Sequence, residues 1–110
     1  MNNEPWYGVK LVFRHNNLEV EVSGASVYEE RIILVKATDE DEAISIAEKE
    51  AESYAADVGG CEYLKFASCF HTYEEKIIHL SEVFSVMRES SLSPADYLDK
   101  YYDTGSERVR

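Results

Sequence analysis

The stretch "YEERIILVKATDEDEAISIAEKEAESYAADVGG", residues 28–60, changes part-way along from the pattern of a strand to the pattern of a helix. Its opening part, residues 28–37, is apolar and rich in β-branched residues, which is typical of a strand. Each side of that strand carries two large apolar residues, namely Ile32 and Leu34 on one side and Ile33 and Val35 on the other. Apolar residues on both sides predict a central position in the sheet, or a position that is partly covered on its second face.

The helix that follows is predicted to begin at Thr38. The Thr38 hydroxyl can accept a backbone N–H of the first turn, and Asp41 stands at the capping-box position. Apolar residues then recur at i, i+3 and i+4, and they predict a buried stripe made of Ala43, Ile44, Ala47, Ala51, Tyr54 and Ala55. Because this stripe is mostly alanine, we expect the helix to lie close against the sheet. Gly59 and Gly60 are typical of a helix end.

Four further segments complete the predicted fold. Residues 6–14 alternate with period two and predict a strand, and residues 61–75 predict another. Residues 82–89 form a short, β-branched run that favours a strand, with one or two helical turns as the alternative. Ser93 followed by proline is typical of a helix start and predicts a short C-terminal helix.

These segments predict an α+β fold. It consists of a four-stranded, mainly antiparallel sheet with one long helix packed on one face, in the order β-β-α-β-β, and a short C-terminal helix. The length of 110 residues predicts a single domain, residues 1–110. Residues 103–110 have almost nothing to contribute to a core and are predicted to be a frayed tail.

The strongest signal in the composition is negative charge. The chain has 22 acidic and 11 basic residues, a formal net charge of −11. Such a balance disfavours direct binding to nucleic acid and to anionic membranes, both of which need clustered cations. It favours a basic protein partner, while solubility alone is the other explanation of the charge. No secretory signal pattern and no apolar run long enough to span a bilayer occurs, so the expected location is the cytoplasm.

The sequence carries no motif that specifies a chemistry. Cys61 and Cys69 lack the spacing of a zinc knuckle and are predicted to be buried free thiols. His71 lies two residues beyond Cys69 on the same predicted strand face, which leaves a cysteine–histidine nucleophile pair as an alternative. Otherwise we expect no enzymatic activity, no catalytic residues, no cofactor and no metal.

Most of the negative charge is concentrated in residues 39–62, which hold nine acidic residues and one base, Lys49. The acids at 39–42 are explained by capping and by the helix dipole, which favours anions in a first turn. The later acids of the helix lie beyond that explanation, and they predict a binding face. The expected partner contacts on this helix are Glu42, Glu48, Glu50, Glu52 and Tyr54.

The C-terminal helix adds two aromatic candidates for the same kind of contact. Tyr97 and Tyr101 share one helix face, and tyrosine is enriched in binding interfaces. The alternative is that this helix docks its tyrosines onto its own sheet.

The segments "WYGVKLVF", "YEERIILVKATDEDEAISIAEKEAE" and "SEVFSVM" resemble a bacterial family, the domain-of-unknown-function family numbered 4288. The resemblance covers residues 6–89 and leaves "SPADYLDKYY" outside it. The chain departs from the family's pattern in "HNNLEVEVSGAS". The family's label implies no activity and supplies no catalytic residues.

The expected function is therefore that of a non-enzymatic, acidic protein-binding module. Its most concrete form is an immunity protein or antitoxin that neutralises a basic, nuclease-like bacterial toxin. One alternative is a structural or assembly module that forms a homodimer through an open sheet edge or the C-terminal helix. The other is an enzyme that uses Cys69 and His71.

Overall fold

A computed structural model describes residues 4–20, 23–73 and 75–102 of the chain. Within these residues the elements follow in the order β1 (Trp6–His15), β2 (Val27–Lys36), α1 (Glu40–Val58), β3 (Cys61–His71) and α2 (Pro94–Tyr101). The strands form one antiparallel sheet in the order β2-β1-β3. The predicted α+β class, with one long helix and a short C-terminal helix, is confirmed. The predicted frayed tail lies outside the described residues.

The core lies between the central strand β1 and helix α1. Alternate residues of β1 point toward the helix, and Val9, Leu11 and Phe13 are completely buried. The helix meets them with a stripe of small buried residues, Ala43, Ala47, Ala51 and Ala55. Since alanine has no side chain beyond Cβ, α1 packs closely on the sheet, as its composition predicts.

The start of α1 differs by one residue from the prediction. Asp39, rather than Thr38, is the N-cap, and its carboxylate accepts the backbone N–H of Glu42 at 2.8 Å. The Glu42 carboxylate in turn accepts the backbone N–H of Thr38 at 3.0 Å, the role that the sequence assigned to position 41. In a capping box, the side chain three residues after the N-cap bonds back to the backbone before the helix. With the N-cap at Asp39 rather than Thr38, that side chain is Glu42 rather than Asp41.

The predicted fourth strand at residues 82–89 is wrong, because these residues form neither a strand nor a helix. The segment lies on the face of the sheet opposite α1, which we call the helix-free face. There Phe84 packs against Phe70 with ring centroids 5.9 Å apart, and the backbone of Val83 lies directly over Gly8. A segment that lies on a sheet face has no strand edge beside it to pair with. Glycine at position 8 leaves the space that this backbone occupies.

Strand β2 lies at an edge of the sheet, so its predicted central position is wrong. On the side facing α1, Val35 is buried and Ile33 packs against the core. On the helix-free face Ile32 and Leu34 are 42% and 37% exposed. The apolar residues on the helix-free side of β2 are therefore not explained by burial under another described part of this chain.

Helix α2 projects from the rest of the fold. Its backbone lies against none of the three strands and not against α1, and none of its residues is buried. The radius of gyration is 16.3 Å, whereas a compact chain of this length has a radius near 13 Å, estimated as about 2.2·N^0.38 Å. No helix in the described ranges is both long and apolar enough to cross a bilayer.

Candidate functional site

Helix α1 places its predicted contact residues on two opposite flanks, because the alanine stripe between them faces the sheet. Glu48 and Glu52 lie on the flank beside β3, and Glu50 lies on the flank beside β2. All three carboxylates are bonded to side chains of the sheet. The prediction treated these acids as one face, and the structure divides them.

The flank beside β3 carries three carboxylates, Asp41, Glu48 and Glu52, which we call the acidic stripe. They line one shallow depression together with Ile44 and Lys49. Asp41 and Glu52 are exposed, and Glu48 is half-buried.

Residues of β3 hold two members of the acidic stripe in place. The Tyr63 hydroxyl donates to Glu48 Oε2 at 2.6 Å, and Lys65 Nζ lies 3.0 Å from Glu52 Oε2. Burial raises the pKa of the Tyr63 hydroxyl, and the bond to the Glu48 carboxylate raises it further, so this donor keeps its proton. Lys65 stands at a bulge in β3 with a left-handed backbone, φ 61°.

The flank beside β2 is engaged within the fold. The Arg31 guanidinium binds both carboxylate oxygens of Glu50 and lies over the ring of Tyr54, 4.0 Å from its centroid. The Tyr54 hydroxyl donates to the Glu29 carboxylate at 2.8 and 3.0 Å. Tyr54 thus has internal partners at both its ring and its hydroxyl. Glu42 likewise serves the start of the helix, as described above.

Lys49 is the only base on the helix itself, and the structure adds two bases from the sheet. Arg31 and Lys65 come from strands on either side of α1 and pair with Glu50 and Glu52. These cations offset part of the charge of α1, and most of the excess negative charge remains.

A polar cluster that the sequence analysis did not identify lies at one end of the core. His15 Nε2 lies 2.7 Å from Glu29 Oε1, and the side chains are only 9% and 13% exposed. Glu29 also accepts the hydroxyl of Tyr54, and the Cys61 thiol lies 3.9 Å from the same nitrogen of His15. His15 and Glu29 lie on the same strand faces as the buried apolar residues, two positions beyond Phe13 on β1 and four positions before Ile33 on β2. The sequence signal for this cluster was a polar residue at a core-facing position in each of two adjacent strands.

The His15 cluster does not have the geometry of a nucleophile relay. In such a relay one ring nitrogen of the histidine meets the nucleophile and the other meets the carboxylate. Here Glu29 and Cys61 both approach Nε2. Burial raises the pKa of the Cys61 thiol, and the charge of Glu29 raises it further, which disfavours the thiolate.

Cys69 and His71 lie on the α1 side of β3, opposite Val9 and Tyr7 of β1. The His71 ring stacks on Tyr7 with centroids 5.1 Å apart and packs against Tyr73 at 4.3 Å. Burial raises the pKa of the Cys69 thiol, with a smaller contribution from the charge of Glu40. Both cysteines are free thiols, as predicted, but they are half-buried rather than buried. No group of three or more potential metal ligands is found in the described ranges.

We expect both cysteines to react slowly with iodoacetamide at mildly alkaline pH in the folded chain. A raised pKa leaves less thiolate at a given pH, and the thiolate is the reacting species. Alkylation followed by mass spectrometry should give rates at least about tenfold lower than in urea, with the difference narrowing as the pH rises. Rapid, selective modification of Cys69 in the folded protein would instead support the nucleophile alternative.

The C-terminal tyrosines assemble around Arg88, Lys100 also lies 5.2 Å from the ring centroid of Tyr101, and the backbone of α2 lies against no strand. Arg88 donates to the hydroxyls of Tyr97 at 3.1 Å and Tyr102 at 2.9 Å, and it lies 4.5 Å from the ring centroid of Tyr101. The two hydroxyl bonds raise the pKa of Arg88, and the bond from Arg88 lowers the pKa of Tyr102. The Tyr97 and Tyr101 rings lie 4.8 Å apart, so these predicted contacts form one exposed cluster, remote from the acidic stripe.

The arrangement as a whole defines a small α+β domain, with three antiparallel strands and one long helix across one face. The family model described as Domain of unknown function (DUF4288) matches residues 6–90, and the chain belongs to this family. The resemblance and its extent are confirmed, and α2 lies outside the match. No curated protein and no solved structure gives a significant match.

Proposed function

We propose that this protein is a non-enzymatic binding module that recognises a basic protein through the acidic stripe. The observation that carries this proposal is the alignment of Asp41, Glu48 and Glu52 along one shallow depression on the flank of α1. Each carboxylate there can accept hydrogen bonds from a lysine or arginine of a partner.

The contacts to β3 favour a preformed surface. Tyr63 holds Glu48 through a part-buried hydrogen bond before any partner binds, and Lys65 forms an exposed ion pair with Glu52. A surface whose side chains are already ordered loses less entropy on binding. The net charge of −11 would also attract a basic partner from a distance and speed the encounter.

The proposal narrows the predicted set of contact residues. Glu48 and Glu52 stay in it, and Asp41 joins them although its charge was first explained by the helix dipole. Three of the predicted contacts have partners inside the fold, namely Glu42, Glu50 and Tyr54. They support the acidic stripe and do not form its centre. Tyr97 and Tyr101 stay a prediction for a second, aromatic contact.

The most concrete form of this function is an immunity protein or antitoxin that covers the basic active site of a nuclease-like toxin. The substrate of such a toxin is a polyanion, so its active site is cationic and an acidic surface can occupy it. We place this binding in the cytoplasm. The two free thiols are consistent with a reducing compartment.

The test is a charge reversal on the acidic stripe. We expect Asp41→Lys combined with Glu52→Lys to weaken binding to a basic protein encoded beside this gene by at least about tenfold. Isothermal titration calorimetry at two salt concentrations measures this, and the affinity of the unmodified chain should fall as salt screens the charges.

The matched control is Glu82→Lys combined with Glu89→Lys. These residues are exposed, and the substitution changes the net charge by the same amount away from α1. Affinity should stay close to that of the unmodified chain. Equal losses in the two double variants would mean that only net charge matters, and no binding to any neighbouring basic protein would overturn the proposal.

A further inference from the structure

The two edges of the sheet differ in their suitability for pairing with another strand. At the β3 edge a bulge interrupts the ladder, and Lys65 there has a left-handed backbone. Bulges of this kind protect an edge against strand addition. Strand β2 pairs with β1 in unbroken register from Val27 to Lys36. Its outer edge is therefore a regular template for an additional strand.

The side chains of β2 on the helix-free face are also open. Tyr28, Ile32 and Leu34 are 61%, 42% and 37% exposed. The segment that lies on this face contacts it beside β1 and β3, where Phe84 meets Phe70 and Lys10. The backbone of helix α2 lies against none of the strands. An apolar surface on a regular edge strand is typical of an interface.

The charges of β2 suit pairing with a second copy of β2. In an antiparallel pair, residues that point their backbone groups outward must face residues that do the same. Along β2, residues whose backbone groups point outward alternate with residues whose backbone groups point toward β1. In a symmetric pair of β2 strands the two-fold axis must therefore pass at one residue, which then faces its own copy. The centres that place apolar residues at the middle of β2 are Ile32, Ile33 and Leu34.

On the helix-free face, only one of these three centres matches both charge and hydrophobicity. Centring on Ile33 places Glu30 opposite Lys36 of the other copy, and Ile32 opposite Leu34, with each pairing made twice by symmetry. Centring on Ile32 instead sets Glu30 against Leu34, and centring on Leu34 sets Ile32 against Lys36. Opposite charges and apolar pairs directly across a ladder stabilise it, whereas mismatched pairs do not.

We propose that two copies of this chain pair through the outer edges of β2, antiparallel and centred on Ile33, to form one continuous six-stranded sheet. The interface continues the apolar surface of Ile32 and Leu34 across the helix-free faces of both copies. Glu30–Lys36 pairs flank it at both ends. The acidic stripe lies beside β3, at the far edge of each half, so this pairing leaves it open and does not depend on the function proposed above.

Sedimentation equilibrium over a range of concentrations tests the proposal. The unmodified chain should dimerise reversibly. Glu30→Lys places lysine opposite Lys36 and should raise the dissociation constant by at least about tenfold. Adding Lys36→Glu to that variant exchanges the two charges and should restore dimerisation, because the opposed pair is again complementary.

The matched control is Glu62→Lys at the other edge of the sheet. Glu62 pairs with Arg14 as Glu30 pairs with Lys10, so each reversal breaks one surface ion pair within the chain. Only the β2 variant should weaken the dimer. A chain that stays monomeric at high concentration overturns the proposal. So does a dimer that Glu62→Lys weakens as much as Glu30→Lys does, or one that the exchange fails to restore.

Cysteine cross-linking provides a second test that does not depend on charge. Ile33 faces itself across the proposed axis, and residues opposite one another in an antiparallel ladder have α-carbons about 4.5–5.5 Å apart. This is within disulfide range. Ile33→Cys should cross-link two copies on mild oxidation, and Tyr28→Cys, far from the axis, should not. Cross-linking at Tyr28→Cys and not at Ile33→Cys would rule out this register.

Discussion

Replacing Phe13 with alanine is expected to lower the free energy of unfolding by about 3–5 kcal/mol, the range for large-to-small changes of buried aromatic residues. Phe13 is completely buried on the central strand β1 and is among the largest fully buried side chains of the fold. Its ring contacts Tyr54 edge-on at 5.1 Å and Tyr63 at 5.5 Å. The substitution leaves a cavity that two tyrosines line, and their own hydrogen bonds keep them from collapsing into it.

The expected loss is a large share of the whole, because domains are stable by only about 5–15 kcal/mol. Urea unfolding followed by the fluorescence of Trp6, the single tryptophan, measures it. The control is Phe66→Ala, the same chemical change on β3 at a side chain that is 56% exposed. Its expected effect is within about 0.5 kcal/mol. Similar losses in both variants would contradict the assignment of Phe13 to the core.

The second large effect is expected at Glu29. Glu29→Ala removes the acceptor of both His15 Nε2 and the Tyr54 hydroxyl, and neither group can reach bulk water easily. Leaving a buried polar group without its partner costs about 1–3 kcal/mol, and here two groups are affected. Glu29→Gln, which keeps the shape and one acceptor oxygen, should lose less. Urea unfolding at low protein concentration measures both variants.

The neighbouring residue supplies the control for Glu29. Glu30 points to the opposite face of β2 and pairs with Lys10 at 2.7 Å, with its side chain 62% exposed. An exposed ion pair of this kind contributes about 0–1 kcal/mol, so Glu30→Ala should change stability little. If the two alanine variants were equally stable, the cluster of His15, Glu29 and Tyr54 would have no structural role.

The three strands and the long helix could be predicted because their signals are local. The alternation of β1 and the alanine stripe of α1 follow from the periods of strand and helix. Residues 82–89 could not be predicted in the same way. Their conformation is determined by Phe84 on Phe70 and by the space above Gly8, contacts between positions far apart in sequence. The edge position of β2 was missed for a related reason, since apolar residues on both sides do not reveal what covers them.

The acidic character of α1 was readable from charge density, but the division of its carboxylates was not. That division depends on the angle at which α1 crosses the sheet, which brings Arg31 to one flank and Lys65 to the other. Tyr54 was assigned to a partner surface because tyrosine is common in interfaces. Its true environment is set by Glu29, a residue on another element, and no local pattern reports such a contact.

Helix α1 and strand β1 contribute side chains of different size to the core, and this difference has an evolutionary consequence. The helix contributes small side chains to the core at Ala43, Ala47 and Ala51, and the strand contributes large ones at Leu11 and Phe13. A larger side chain on α1 fits only if the facing side chain on β1 is smaller, and the reverse also holds, because the space between the two elements is filled. In relatives that keep this fold, substitutions at these facing positions should therefore occur together, with a larger residue on the helix accompanied by a smaller one on the strand.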